Sequence, residues 1–516
     1  MAIGANTDIS TFKGGERALR ADRMGLAGLL FSVVAASAPL MVVAGVMPTT
    51  YGVMGIVGQP LLFVILGVVL TLFSVGYAEM SRHVHNAGAF YAYIARGLGG
   101  TVGAAASVVA LMAYSAMQFA VFGIFGFEIS TQLQAHFDVN VAWWIPAVVG
   151  VLLVGLLGWL KIDLNARVLG LLLLMEIAIV LVFDFAAVAD PAKAGVSLHA
   201  FNPSTLSGAG LGTALCFCIA AFVGFEQSAV YAEETSRPHL VVARVTFLAV
   251  GFTAVFFAVG AWALSVAAGP DQVVALSQKN GPNLLFVLAQ DRLGAGFADI
   301  LHVFYVTGMF ACLLSFHNVV ARYAFAMGRE RLLPAAFGRT NPTSGAPAYG
   351  SLLQSAVSLA VVLLFAVTDH GPVGDPTAPV LRLFTWGGQV GALGIIVLLA
   401  TASVAVIAFF VRRGAVRAQA VRIVCSALAA ASLLVIIFIT VRDFDVLLGS
   451  DPDSPLAWIL PGIVGATVVI GLAYGLFLRA AQPDVHARIG MGNEVYQIEK
   501  ARNAETGAET GAGSLS

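Results

Sequence analysis

The chain has 516 residues, 59% of them hydrophobic and only 11% charged, with a formal net charge of −1. Globular domains in water carry ~25% charged residues, so a water-soluble fold of this size is excluded, and the near-neutral balance gives no field to attract nucleic acid. Length and apolar content instead suit about a dozen bilayer spans of roughly 20 residues each.

Residues 1–15 are polar and non-periodic, as expected of a disordered tail. Lys13, Arg17, Arg20 and Arg23 then form a basic flank before the first apolar run. Ala36-Ser37-Ala38 imitates a signal-peptide cleavage site, but the run continues from Leu40 to Val46 and further spans follow, so an uncleaved signal-anchor is expected. Twelve spans are predicted, at 25–48, 55–80, 100–130, 142–160, 165–188, 208–232, 243–268, 296–324, 348–368, 384–411, 420–440 and 456–479. Between the second and third, 81–99 holds an amphipathic polar-aromatic segment suited to lying along the inner membrane face. Between the seventh and eighth, 271–292 has a helical pattern suited to the outer surface. Residues 482–516 read as a second disordered tail.

With the N-terminus inside, 22 of the 27 Lys and Arg fall in cytoplasmic segments. Lys193, Lys279, Arg292, Arg382 and Arg442 are the five outside. That bias predicts both termini in the cytoplasm and an even number of spans.

Two spans are interrupted at matching places. Pro39, after Ala35-Ala36-Ser37-Ala38, removes a donor and clashes with the preceding turn. Val223-Gly224-Phe225-Glu226 loosens the sixth span and sets an ionisable group at bilayer depth, where it is costly. Broken helices leave backbone groups that a membrane tolerates only against protein or a water-lined cavity. Two such breaks five spans apart point to a secondary transporter built from inverted repeats.

The small residues around Ser37 let a ligand approach the backbone, and the half-helix beyond them attracts an anion. An ordinary proline kink is the alternative for that segment taken alone. Glu226 is a candidate proton relay, against a plain helix tie. Glu176 is the other deeply placed carboxylate. Glu79 and Glu128 lie nearer span ends, where snorkelling or capping is expected. His317, beside Asn318 and close to Ser315, is expected to be a packed core histidine. Tyr114, Met117, Phe304, Tyr305, Met309 and Trp386 can line a pocket, though packing or lipid contact accounts for each taken singly. Cys216, Cys218, Cys312 and Cys425 all lie in apolar stretches, and Cys216 and Cys218 point to different helix faces, so packing is expected rather than a disulfide or metal site. No nucleotide-binding G-x-x-x-x-G-K-[ST] loop occurs, and the nine histidines are scattered rather than clustered as a catalytic set. No cofactor, metal or enzymatic activity is expected.

Three stretches, in order, resemble the amino acid–polyamine–organocation (APC) permease superfamily. FVGFEQSAVYAEETSRP (Phe222 to Pro238) is similar to its broken sixth helix and the acidic turn after it. NAGAFYAYIARGLGG (Asn86 to Gly100) resembles its segment between spans two and three. NVVARYAFAMGRERLLP (Asn318 to Pro334) resembles its loop after span eight. The resemblance implies an all-α, LeuT-type 5+5 inverted-repeat fold with two additional C-terminal helices. On that plan 1–24 is the N-terminal tail, 25–411 the ten-helix transport core, 412–480 spans eleven and twelve, and 481–516 the C-terminal tail. It further implies that a substrate carboxylate meets Ala36, Ser37 and Ala38, that its ammonium meets Ala221, Phe222 and Val223, and that Glu226 is proton-responsive. Two departures stand out. The family's Gly-Ser-Gly is Ala36-Ser37-Ala38-Pro39 here, and Pro39 supplies no N–H. Where some proton-coupled members carry a span-five lysine, this chain has Glu176, which inverts the local charge and makes Glu176 a second proton-coupling candidate.

The expected protein is a multi-pass plasma-membrane transporter, its partners the lipid bilayer, a coupling proton and a small amino acid or amine. Exchange, polyamine transport and transport-silent nutrient sensing are the alternatives.

Overall fold

The structure is a computed structural model that describes residues 25–84, 86–160, 166–235, 238–341, 344–368, 380–414, 416–448 and 454–492. The predicted N-terminal tail, and the C-terminal tail beyond 492, lie outside these residues. Among the described residues there is no β-strand, as expected where every backbone group must be satisfied within its own segment.

Among the described residues, eleven helices are long and apolar enough to cross a bilayer. They are Leu26–Met54, Gln59–Met80, Gly100–Phe137, Gly170–Ala189, Leu211–Ala229, Leu240–Ala268, Ala295–Arg329, Ala348–Thr368, Arg382–Arg412, Ala420–Arg442 and Leu456–Ala481. The predicted fourth span appears as the apolar helix Trp144–Leu160, whose 17 residues fall just short of that length. Counting it as the fourth, the spans are numbered one to twelve below. Large apolar side chains such as Leu152, Phe185, Val255, Phe438 and Trp458 point outward from the bundle. An exposed apolar surface of that extent fits lipid rather than water.

Packing pairs spans five apart. Span two lies along span seven, span three along span eight, span four along span nine, and the first half of span one meets the turn inside span six. An offset of five repeated through four pairs is what two intertwined five-span repeats produce. Spans eleven and twelve stand outside this scheme. Span eleven packs on spans two, six and ten, and span twelve lies along span three. The fold is therefore all-α, with a ten-span core of two repeats and two added helices.

Short helices close the two ends of the bundle. Ala89–Leu98 lies at the end where span three begins, here called the inner end. Its Phe90, Tyr91 and Tyr93 are buried rather than facing a membrane surface. At the outer end, Val273–Asn280 and Leu284–Leu293 follow span seven, matching the predicted surface helix.

Disorder was expected of the C-terminal tail from residue 481, but residues 482–492 are ordered. Pro483–Arg488 form a helical turn, and the chain after it docks on the inner end. Glu330, just past span eight, is fully buried there and accepts from Gly490 N–H at 2.9 Å, Gly492 N–H at 2.8 Å and the Asn86 side-chain amide at 2.8 Å. Burial pushes the Glu330 carboxyl above its usual range, opposed by these donors and by Arg329. Both glycines have positive φ (83° and 54°), so backbone amides can turn onto one carboxylate. Polarity of the tail suggested disorder; a buried acceptor 160 residues away in sequence orders this part of it.

Candidate functional site

Span one does not merely kink at Pro39; it breaks one residue earlier. Its first helix ends at Ser37, and Ala38 takes φ 43° and ψ 74°, a left-handed conformation uncommon for a residue with a Cβ. Pro39 then opens the second half at a first-turn position, where its missing N–H would have no helical partner. Ala38 N–H donates to Ala35 O at 3.1 Å, and the Ser37 hydroxyl donates to Val34 O at 2.7 Å. The Cys312 thiol of span eight donates to Ala36 O at 3.1 Å. The next amide is that of Leu40, in the short second half-helix that packs against span five. The positive end of that half-helix therefore lies against the span that bears the buried Glu176 carboxyl. Beyond it the helix widens into π-turns at Val42–Val46 and Thr50–Met54, a distortion common at functional sites.

Span six is regular from Leu211 to Phe222. Gly224 then takes φ 134° and ψ −38°, and a tight turn runs from Phe225 to Ala229. The last carbonyls of the first half point past the helix end, where they lack helical donors. Glu226 is fully buried. Its Oε1 accepts from Tyr114 OH of span three at 2.7 Å, and its Oε2 from Gly224 N–H at 3.0 Å. Tyr77 OH of span two donates to its main-chain oxygen at 3.1 Å. The carboxylate clasps the very loop that breaks the span. Next to it, Gln227 accepts from the Ser315 hydroxyl of span eight at 3.2 Å, while its Nε2 has no partner among the described residues.

The two breaks touch. A Cβ placed on Gly224 would lie 2.7 Å from Val33 O and 3.0 Å from Ala36 Cβ, so only a glycine lets the strands of unwound chain meet. Ala36, Ser37, Ala38, Ala221, Phe222 and Val223 are each no more than 4% exposed, so this meeting point is closed to both surfaces. Tyr114 and Met117 of span three are buried, with Tyr114 on Glu226 itself. Tyr305 and Met309 are buried farther out on span eight, whereas Phe304 and Trp386 are only partly covered.

Other acidic and basic groups separate into distinct roles. Glu176 is buried, and its carboxylate lies so near Gly308 that a Cβ there would be 2.6 Å from Oε2. Asp184, two turns outward on the same span, was not singled out from sequence; it is buried, with neither oxygen partnered among the described residues. His317 bonds to Ser351 at 2.7 Å between spans eight and nine, the packed role expected of it. Glu79 pairs with Arg422 at 3.1 Å and Arg82 at 3.5 Å, near a span end as expected. Glu128 corrects its expectation. Span three runs on to Phe137, well past the predicted end, so Glu128 is fully buried and meets His302 of span eight at 2.6 Å instead of snorkelling or capping. Among the described residues no three His, Cys, Asp or Glu gather as metal ligands.

The three stretches singled out in sequence converge at the inner end. Glu233 and Glu234 come from the first, Asn86 and Ala87 from the second, and Arg322, Arg329 and Glu330 from the third. Arg322 pairs with Glu234 at 2.7 Å and lies over the Tyr231 ring at 4.5 Å. Arg329 pairs with Glu233 at 2.6 Å, and Glu233 also accepts from Ala87 N–H at 3.0 Å. These pairs bind the exit of span six to the end of span eight and the inner helix. Residues 29–481, spanning both breaks and this inner cluster, match the family model for amino acid permeases. The chain belongs to the amino acid permease family.

Curated relatives include proteins named as uncharacterised transporters of Mycobacterium bovis and Mycobacterium tuberculosis, 27% identical over 226 residues. That match covers 42% of this chain and 47% of each relative, so the permease spans about half the length of those proteins. Among solved structures, a manganese transporter of Eremococcus coleocola aligns at 12% identity with a TM-score of 0.49, over 92% of this chain and 98% of that one. A complex of that transporter with an aromatic bis-isothiourea compound aligns at 13% identity and a TM-score of 0.49, over 93% and 99%. The family match and the long apolar helices together make this a multi-pass membrane protein of the amino acid permease family.

Proposed function

We propose that this permease imports an amino acid or related amine across the plasma membrane by alternating access, driven by protons. The observation that carries the reading is the contact of the two breaks, Gly224 against Val33 and Ala36. Unwound backbone from two repeats at one buried point offers amide donors and carbonyl acceptors to a zwitterion. On this reading the substrate carboxylate is received around Ala36, Ser37 and Ala38, and its ammonium by the carbonyls of Ala221, Phe222 and Val223. Glu176 stands on the span packed against that half-helix, so substrate and Glu176 compete for one half-helix end. Protonation of Glu176 releases that end, which links proton and substrate binding. Glu226 is the second proton-coupling residue. A proton on either oxygen weakens the bond that the oxygen accepts from Tyr114 or Gly224, and so loosens the span-six loop. Apolar and aromatic surroundings favour a neutral substrate side chain. The membrane potential adds about 2.3 kcal/mol per charge per 100 mV to the pH term. The 22-to-5 distribution of basic residues supports cytoplasmic termini.

The test is uptake of mixed radiolabelled L-amino acids into proteoliposomes under an imposed inward pH gradient. Accumulation above equilibrium, abolished by a protonophore and competed by neutral amino acids, is expected. Uptake only with internal substrate makes the protein an exchanger. Competition by lysine, arginine or putrescine alone reverses the side-chain assignment. Absence of any flux favours a sensor.

A further inference from the structure

One face of span eight carries polar contacts from the outer end to the meeting point of the breaks. His302, Tyr305, Gly308, Cys312 and Ser315 follow at intervals of three or four residues, which places them on one stripe of the helix. Thirteen residues of helix cover about 20 Å. Each member touches a neighbouring span. His302 meets Glu128 of span three, Tyr305 faces Gly45 of span one, and Gly308 faces Glu176 of span five. Cys312 then meets Ala36 O, and Ser315 meets Gln227.

The outermost contact is unusual. His302 Nδ1 lies 2.6 Å from Glu128 Oε1, too close for two acceptors unless a proton is held between them. Gln132 Nε2 donates to Glu128 Oε1 at 3.0 Å and lies 2.9 Å from His302 Nδ1 without bonding to it while Nδ1 carries the shared proton. The Phe286 ring of the outer helix stacks on the imidazole at 3.7 Å and 10°. The His302 side chain keeps 17% of its surface exposed, against 1% for Glu128, so the imidazole is the wetter partner. Behind the pair, Glu128 Oε2 and the Tyr305 hydroxyl are buried with no hydrogen-bond partner among the described residues, as is Glu176 Oε2. Buried polar atoms are rarely left unpaired. Three beside one stripe, between a partly exposed imidazole and a buried half-helix end, mark a polar path.

We propose that Glu128 and His302 are the outer proton-loading pair of the transport cycle, and that the span-eight stripe conducts the proton inward to Glu176. This rests on the proton-driven reading above. The proton arrives from outside water on the free imidazole nitrogen of His302. The proton already held at Nδ1 passes to Glu128, leaving a neutral imidazole and a neutral carboxyl. Glu128 then gives it up inward past the Tyr305 hydroxyl, which can accept one proton while donating another. Glu176 receives it and becomes neutral, Glu128 returns to its starting form, and His302 resets by releasing its Nε2 proton to outside water while Nδ1 takes one up. The other ionisable groups on the elements packed around the pair are few. Span three carries His136, which faces Asp299 of span eight at 4.0 Å on the surface. The outer helix carries Asp291 and Arg292, the latter bonded to the Asp190, Leu288 and Ala267 carbonyls. Span ten carries Arg382, span five Asp184, and span one Tyr51, bonded to Ala261 O.

The test uses full-length protein in proteoliposomes with the mixed radiolabelled L-amino acids. Glu128→Gln and Tyr305→Phe are each expected to lower accumulation at a one-unit pH gradient about tenfold, the factor one coupled proton supplies. Exchange against internal amino acids, which needs no net proton movement, is the reference for folding and binding in each variant. Wild-type dependence of accumulation on external pH in either variant overturns the proposal and leaves the pair as a pin between spans three and eight. Should Glu128→Gln fail to fold, Tyr305→Phe, which removes one unpartnered oxygen, decides alone. If wild type itself exchanges but never accumulates under the gradient, the proton-driven reading fails first, a result distinct from either variant outcome.

Discussion

Replacing Gly224 by alanine tests whether the contact between the breaks is what the transporter works on. The added Cβ meets two obstacles. Its backbone, at φ 134° and ψ −38°, lies where side chains are strained, at a cost of about 1–3 kcal/mol. The Cβ would also sit 2.7 Å from Val33 O and 3.0 Å from Ala36 Cβ; the first is backbone and cannot swing aside, and overpacking of this kind costs about 1–3 kcal/mol more. The two together give about 2–6 kcal/mol. The lower end already corresponds to roughly 30-fold in an equilibrium, at 1.4 kcal/mol per decade. The strain can be relieved only by moving the two unwound segments apart, so it falls on the occluded state. The assay is amino acid exchange in proteoliposomes, paired with a thermal melt in detergent. Gly251→Ala is the control, because Gly251 sits inside the helix of span seven with open space around it. There the change should be neutral or favour the helix by up to about 1 kcal/mol. Exchange and melting in Gly224→Ala equal to those of Gly251→Ala would refute the reasoning, because the breaks would then not be in working contact.

Three other outcomes are expected. Ser37→Leu fills the buried corner beside Gly224 and removes the bond to Val34 O; radiolabelled uptake should fall to background with expression retained, and near-normal uptake would remove span one from the site. Glu226→Gln should retain exchange but lose accumulation driven by an imposed pH gradient; wild-type pH dependence would reduce the carboxylate to a clasp for the span-six loop. Glu330→Ala removes the acceptor for Gly490 and Gly492 N–H; because bonds to a charged group are worth about 1.5–3 kcal/mol each, tryptic cleavage at Arg488 should quicken at least about tenfold, and an unchanged rate would mean the tail is held by Ile489 and His486 alone.

What was legible in the sequence follows from what is local. Apolar runs gave the spans because bilayer thickness sets a length that composition can meet or miss. Pro39 and Gly224 marked both breaks because each changes the backbone at its own position. The exact geometry was less visible: the left-handed residue is Ala38, one before the proline, and nothing in its side chain announces it. Glu128 was misjudged because its role depends on where span three stops, and a polar stretch such as Ser130-Thr131-Gln132 reads as a span end. His302 lies 174 residues from Glu128; a tertiary pair at that separation has no signature in either segment. The three family-like stretches were legible as patterns, but their reason was not. They are the parts that meet at the inner end, where each supplies the charge or donor the next one needs.

The docking of the tail also has a consequence for how the protein is made. Every span has been synthesised before Gly490 and Gly492 are added. Until then Glu330, buried beside Arg329 and Asn86, lacks the two backbone amides that complete its shell. The inner end of the permease is finished by residues translated after all of the described spans. A chain that stops short at residue 481 would hold all of those spans and still carry an incompletely satisfied carboxylate at its inner seam.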